Sequence, residues 1–347
     1  MRLAVSAWLP LLTVVSLLAS TSLSSASASA GVAGDATGVM LPEDARNWLL
    51  RIQAAAHSGN YRGTMVFSVS GSMSSSRVLH YAVGDQVYEK LESLDGQQQQ
   101  IYRHNDEVHT LWPQTRVAVI EKREAVEAWQ ATPQAVEPSL LEQYQLRREG
   151  QARVAGRDVE VVLLEPRDAL RFAQRLWADR ASGLMLRADV LGVGGERAVL
   201  ESAAFSEVEI GVKPQPKAVT QISAQLQGFR LVRPIHQRTQ LEAEGWSLAK
   251  PVPGFKLQAC VKRQLDAARD AAALAAPVLQ AVFSDGLAHV SLFVEPFDAK
   301  RHSVETQARQ GATTTVTRRR QDHWFTAVGD APTATLRLLI DALERRR

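Results

Sequence analysis

Between Tyr61 and Ile210 apolar side chains return again and again at every second position, and this alternation constrains the fold more than any other feature. Successive side chains of a strand point to opposite faces, so a period of two builds a sheet with one buried face. Tyr61, Gly63, Met65, Phe67 and Val69 alternate with Arg62, Thr64, Val66, Ser68 and Ser70. The next segment puts Leu79, Tyr81 and Val83 on one face. Segments 108–112, 117–120, 159–164, 171–177, 184–190 and 198–210 read as further strands. Turn residues separate them: Asn105-Asp106, Gly156-Arg157, Ser182-Gly183 and the Gly-rich 192–195. Asp95-Gly96 is a two-residue hairpin signal, because a type I′ turn needs positive φ at both central positions. One break, 124–142, is flanked by Pro and rich in Ala and Gln, and reads as a helix or a lid-like insertion.

Ahead of the strands, Pro42-Glu43-Asp44 opens a helix, its acidic residues suited to the positive end of the helix dipole. Trp48, Leu49, Ile52 and Ala56 give it one apolar face, and Gly59-Asn60 ends it. A meander of about ten antiparallel strands must curl. With one or two helices over its mouth it becomes a half-open barrel, which can enclose a cavity. Lys213-Pro214-Gln215-Pro216-Lys217 then disfavours regular structure. Beyond it lie 246–255, strands near 279–283, 288–295, 313–317 and 324–328, and a helix from Pro332 with Leu336, Leu339, Ile340 and Leu343 in its apolar stripe. Arg345, Arg346 and Arg347 stand at that helix's C-terminal end, where the dipole favours cations. Ala-rich 265–277 reads as a short inserted helix. The expected architecture is mostly β with α: a signal peptide over 1–30, a half-open antiparallel β-barrel over 31–212, a linker over 213–227 and a smaller α+β domain over 228–347.

The first 30 residues read as an export leader. Arg2 precedes an apolar stretch over 3–18, interrupted by Pro10, and small residues lead to Ala28-Ser29-Ala30. That stretch is short and broken beside the roughly 20 apolar residues of a membrane span. A mature chain beginning at Gly31 is expected. Cys260 is the only cysteine, so no internal bridge forms and the thiol reads as a small core residue. Lys and Arg number 40 against 37 Asp and Glu, and the basic residues are dense only at 318–320 and 345–347. Nucleic-acid binding calls for a basic face interleaved with aromatics, which this spread lacks.

Motifs for catalysis are missing from the sequence. There is no Gly-x-Ser-x-Gly elbow, and Ser284-Asp285-Gly286 reads as a turn between strands. The glycines at 192–195 lack the Lys-Ser/Thr ending of a phosphate loop. The eight histidines are scattered; His104 and His109, with His80 near them, do not have zinc-ligand spacing. Carboxylates form no acid/base pair by motif. No catalytic residue, metal or cofactor is expected. The apolar rows leave two readings open: an ordinary core, or a cavity for acyl chains lined by Met65, Phe67, Val69, Leu79 and Tyr81.

Asn60-Tyr61-Arg62-Gly63-Thr64, Leu91-Glu92-Ser93-Leu94-Asp95-Gly96 and Arg153-Val154-Ala155-Gly156-Arg157 carry a family resemblance. Leu164-Glu165-Pro166-Arg167-Asp168, Leu176-Trp177 and Ser182-Gly183-Leu184 extend it. Trp246, Pro253-Gly254-Phe255, Ser284-Asp285-Gly286-Leu287, Gly311-Ala312-Thr313 and Val328-Gly329-Asp330-Ala331-Pro332 continue it to the end. Each motif is short; their order and spacing over about 43–344 make the chain resemble the RseB/MucB family of periplasmic sigma-factor regulators. Met185 departs from the family's Pro, and 265–277 is longer than the family's loop. The resemblance implies a first domain similar to periplasmic lipoprotein carriers, and a partner in the periplasmic part of a membrane-spanning anti-sigma factor. It implies that this partner is shielded from its first protease, that lipid or lipopolysaccharide fragments release it, and that no reaction is catalysed. Residues of the partner contact are not assigned by it, and self-association stays open. A periplasmic lipid or lipoprotein carrier is the alternative, against which the second domain counts.

Overall fold

A computed structural model describes residues 37–122, 138–194, 197–222, 226–234, 236–264 and 277–346. The leader, most of the 124–142 insertion and nearly all of Ala-rich 265–277 lie outside the described residues. Strand β1 (Gly38–Val39) and helix α1 (Pro42–Ser58) precede a meander of β2 (Tyr61–Val69), β3 (Ser72–Val83), β4 (Gln86–Ser93), β5 (Gln100–His104), β6 (Glu107–Trp112) and β7 (Val117–Lys122). Helix α2 (Pro138–Gln143) leads into β8 (Tyr144–Val154), β9 (Arg157–Pro166), β10 (Ala173–Asp179), β11 (Met185–Leu191) and β12 (Val199–Ile210). Helical turn α3 (Lys217–Thr220) and β13 (Arg230–Val232) follow. The remaining elements are β14 (His236–Arg238), β15 (Trp246–Leu248), β16 (Lys256–Arg263), β17 (Val278–Ser284), β18 (His289–Pro296), β19 (Gln307–Gln310), β20 (Thr313–Arg320), β21 (His323–Gly329), α4 (Thr333–Ala342) and β22 (Leu343–Arg345).

The first sheet has the order β1-β8-β9-β10-β11-β12-β2-β3-β4-β5-β6-β7-β13, and its two edge strands do not meet. It is a half-open, almost wholly antiparallel sheet; among the described residues only β13 pairs in parallel, with β7. Helix α1 packs Trp48, Leu49 and Ile52 on Leu146, Val162, Leu164 and Leu176. Trp48 Nε1 donates to Glu160 at 2.9 Å, and Arg148 holds the same carboxylate at 2.9 Å, which fixes the helix on the sheet. At the end of α1, Asn60 Oδ1 accepts from the Ala82 amide, and His80 Nδ1 bonds the Gly59 carbonyl while its ring stacks on Tyr61. The Asn60-Tyr61 motif is thus the corner where helix becomes sheet.

The second sheet has the order β14-β16-β17-β18-β21-β20-β19, with α4 on one face. Leu336, Leu339 and Ile340 meet Phe283, Val290, Leu292 and Phe325 in its core, which also holds Cys260. Helix α4 ends sooner than its apolar stripe suggests: Leu343 belongs to β22, paired with β15. The Ile340 and Leu343 carbonyls at the end of the helix accept from Arg320 at 2.7 Å, while Arg345 donates to the Glu244 carbonyl at 3.0 Å. Similarly, β4 and β5 are joined by 94–99 and not by a two-residue turn, because Asp95 is engaged by the Ser75 amide at 2.8 Å and by its hydroxyl at 2.6 Å.

The segment over 213–227 is more than a spacer. Val219 and Ile222 are buried against Tyr102, Leu111 and Ala118 of the first sheet, with Leu79 and Tyr88 packed alongside. Truncating a buried isoleucine typically costs about 2–5 kcal/mol. Ile222→Ala should therefore lower the denaturant-measured stability of the first domain by about 2 kcal/mol, whereas a loose tether would show no change.

Candidate functional site

The five apolar residues predicted to share a face are divided by the register. Strand β2 pairs with β3 so that Val69 lies opposite Ser72, Phe67 opposite Ser74, Met65 opposite Ser76 and Arg62 opposite Leu79. Directly paired residues share a face. Met65, Phe67 and Val69 therefore stand on one side of the sheet, and Leu79 and Tyr81 on the other. The cause is the two-residue turn Ser70-Gly71, with φ of 50° and 82°, which sets odd residues of β2 against even residues of β3. A one-residue difference in register exchanges the faces of a whole strand. Met65 is buried with Tyr61, Val78, Trp177, Leu186 and Phe205, and the half-buried Phe67 lies against this cluster. Leu79 sits under the 219–222 segment, and Tyr81 is buried opposite Tyr88.

A second constellation, not found from the sequence, joins the two domains. Arg171, just before β10, has a fully buried guanidinium, and Asp285, in the β17–β18 turn, a fully buried carboxylate. Arg171 Nε donates to Asp285 Oδ2 at 2.8 Å, and the Tyr144 hydroxyl donates to the same oxygen at 3.0 Å. Asp285 Oδ1 accepts from the Leu287 and Ala288 amides at 2.9 and 2.7 Å. The other nitrogens of Arg171 reach Gln143, Asp168 and the Pro253 carbonyl at 2.9, 2.6 and 2.7 Å. The Tyr144 and Phe255 rings lie 5.7 and 5.4 Å from the guanidinium carbon. Gly254 has φ +79°, and a Cβ there would fall 2.6 Å from Arg171, so the loop closes on the cation only without a side chain. Burial, and then the Asp285 charge, hold the Tyr144 phenol well above its ordinary range, so it remains a donor. Alongside, Thr335 Oγ1 donates to the Leu170 carbonyl at 2.6 Å, and Leu287 enters the core beneath α1.

A smaller contact touches the rim of the first sheet. Glu201 of β12 accepts from the Ala312 amide at 2.9 Å, and Ser70 Oγ accepts from the Gly311 amide at 2.9 Å. Gly311 has φ +61°, and a Cβ there would lie 2.5 Å from Glu201 and 2.7 Å from Val69. Burial raises the pKa of Glu201; burial likewise raises that of Asp330, whose Oδ1 accepts from the His289 amide at 2.6 Å. Among the described residues there is no group of three or more His, Cys, Asp or Glu placed to hold a metal ion. No helix among them is long and apolar enough to cross a membrane.

The pieces of this junction are the short motifs scattered along the sequence. Asp168, Pro253-Gly254-Phe255 and Asp285-Gly286-Leu287 lie far apart in the chain and meet around Arg171, while Gly311-Ala312 meets Ser70 and Glu201. Comparison with known proteins accounts for that pattern. A model of the MucB/RseB N-terminal domain matches residues 44–223, and one of the MucB/RseB C-terminal domain matches residues 240–344. The chain belongs to the MucB/RseB family. It is 28% identical over 298 residues to the sigma factor AlgU regulatory protein MucB of Pseudomonas aeruginosa, covering 84% of this chain and 88% of the relative. It is 24% identical to the sigma-E factor regulatory protein RseB of Haemophilus influenzae, covering 87% and 91%. The complex structure of Pseudomonas aeruginosa MucA/MucB holds a chain of 27% identity that superposes with a TM-score of 0.64, over 88% of this chain and 99% of that one.

Removing one partner of a buried ion pair costs about 3–5 kcal/mol, because the other charge is left without compensation. Arg171→Met should cost that much in urea denaturation, and Arg171→Met with Asp285→Leu should recover part of the loss. A pH dependence follows from Asp330. Its pKa is raised by folding, so its contribution to stability is fully present below the ordinary carboxylate range and is lost as pH rises through the raised value. Asp330→Asn should remove the corresponding decline in melting temperature between acidic and neutral pH.

Proposed function

We propose that this chain is a negative regulator of an envelope-stress sigma-factor pathway, acting in the periplasm without catalysis. In this reading it binds the periplasmic part of a membrane-spanning anti-sigma factor and shields it from proteolysis. The single observation that carries the reading is end-to-end family membership: both domain models match, in order, in one chain. A structure of MucB in complex with MucA(peri), 26% identical and with a TM-score of 0.63, supports the choice of a protein partner. The division into 31–212 and 228–347, with 213–227 between them, belongs to this proposal. The test is protease protection of the anti-sigma periplasmic segment: addition of the full chain should slow its cleavage, and unchanged cleavage would overturn the reading.

The proposal extends to lipid. Met65, Phe67 and Val69 are the part of the predicted lining that shares one face, and Phe67 and Val69 are only half-buried. An acyl chain held there would release the partner by preferring the domain arrangement with low partner affinity, and by no more than that difference in affinity. Phe67→Asp separates core from cavity. In a tightly filled core, the buried charge unfolds the domain. In a cavity, the fold survives and fluorescent-lipid affinity falls. A folded Phe67→Asp chain with unchanged lipid affinity would rule out the cavity.

A further inference from the structure

Two of the contacts between the domains differ in how they can open; a further one, the ion pair of Arg263 with Glu121 at 3.6 Å, links β16 to β7. At Arg171 and Asp285 both charged groups are wholly excluded from water, and every hydrogen-bonding atom of the Asp285 carboxylate is engaged inside the protein. Opening that contact would leave a charge uncompensated, so it acts as a fixed point. At Glu201 the geometry is different. The Glu201 side chain is half-buried near the start of β12 and accepts from the Ala312 amide of the β19–β20 turn, while Ser70 Oγ accepts from the Gly311 amide of the same turn. Water can replace amide–carboxylate bonds there at little net cost. No ion pair to Glu201 is present among the described residues, and the nearby Asp330 repels it.

We propose that the Glu201–Ser70 contact is a releasable clasp, and that the C-terminal domain swings about the fixed Arg171–Asp285 junction when the clasp opens. The coupling to the first sheet is direct. Val69 lies against Gly311, shares a strand and a face with Met65 and Phe67, and pairs with Glu201 itself. An occupant that displaces Phe67 and Val69 therefore moves the clasp, whereas the Arg171 junction lies at the far side of β10 and β11 in the sheet order. This coupling rests on the lipid reading above; the clasp itself does not.

The experiment measures a distance across the clasp in the full chain. Spin labels on Met73→Cys, at the exposed start of β3, and Arg309→Cys, on exposed β19, bracket it. Cys260 is buried, with its thiol pushed up to about 11, and stays unlabelled. The unaltered junction should give one short distance. Glu201→Ala and Gly311→Ala should each add a longer-distance population, while Glu201→Gln, which keeps an acceptor oxygen without the buried charge, should retain the short one. Far-ultraviolet circular dichroism and the Arg171-dependent urea transition should be unchanged in all three. If Glu201→Ala and Gly311→Ala both leave the distance unchanged, or if Glu201→Gln opens the contact as far as Glu201→Ala, the clasp is overturned. Dilauroyl phosphatidylglycerol, added to the labelled chain without the substitutions, tests the coupling separately. A longer distance supports it. Opening by Glu201→Ala with no response to the lipid keeps the clasp and overturns its control by a half-barrel lipid.

Discussion

A single guanidinium organises the contact between two domains that each have a core of their own. Arg171 is reached from α2, from the loop before β10, from the 253–255 loop and from the β17–β18 turn. Four pieces of chain thus share one buried cation. Burying a charge is tolerated only when it is paired and hydrogen-bonded throughout. That condition fixes the angle of the Pro253-Gly254-Phe255 loop, the bareness of Gly254 and the phenolic state of Tyr144. An apolar junction of the same size would allow sliding; a bidirectional, fully bonded ion pair specifies one arrangement. The half-open sheet and the α+β domain are therefore two bodies with one wholly buried ionic junction, flanked by the Glu201 contact and the Arg263–Glu121 ion pair.

The segment between the domains adds a second constraint of a different kind. Prolines at 214 and 216 break regular structure, yet the chain beyond them lays Val219 and Ile222 on one face of β5–β7 and adds β13 to the β7 edge. That face would otherwise expose Leu79, Tyr88 and Leu111. Strand β13 also pairs with β7, so that a three-residue strand replaces a six-residue one at this edge, and short edge strands are poor templates for unwanted pairing. The other face carries Met65, buried with Tyr61, Val78 and Phe205, and the half-buried Phe67. One sheet thus has a face covered by the connecting segment and a face that carries Met65 and Phe67, and the odd-to-even register of the β2–β3 hairpin decides which residue belongs to which.

Period-two patterning, turn residues and the α1 amphipathic stripe were enough to read a curled antiparallel sheet followed by a smaller α+β domain, because these signals are local. The apolar stripe of α4 was legible for the same reason, as were the strands around Trp324 and Leu292. The faces of Leu79 and Tyr81 were not, although a signal existed: Ser70-Gly71 is itself a two-residue turn, and its length fixes the register by parity. The hydrogen bonds of Asp95 gave no such warning, since they run to Ser75 on a neighbouring strand.

What the sequence determined by itself was the periodicity of each element, the absence of any catalytic or metal-ligating motif, and a string of short motifs whose order marks the family. Only the tertiary structure decided what those motifs are for. Asp168, Pro253, Asp285 and Gly311 are separated by dozens of residues, and nothing local distinguishes Asp285 in its turn from any other acidic turn residue. Its partner Arg171 is equally anonymous among the arginines. A buried ion pair is a property of two positions and the dielectric around them, so it exists only once residues from two cores have been brought together and water has been excluded from between them.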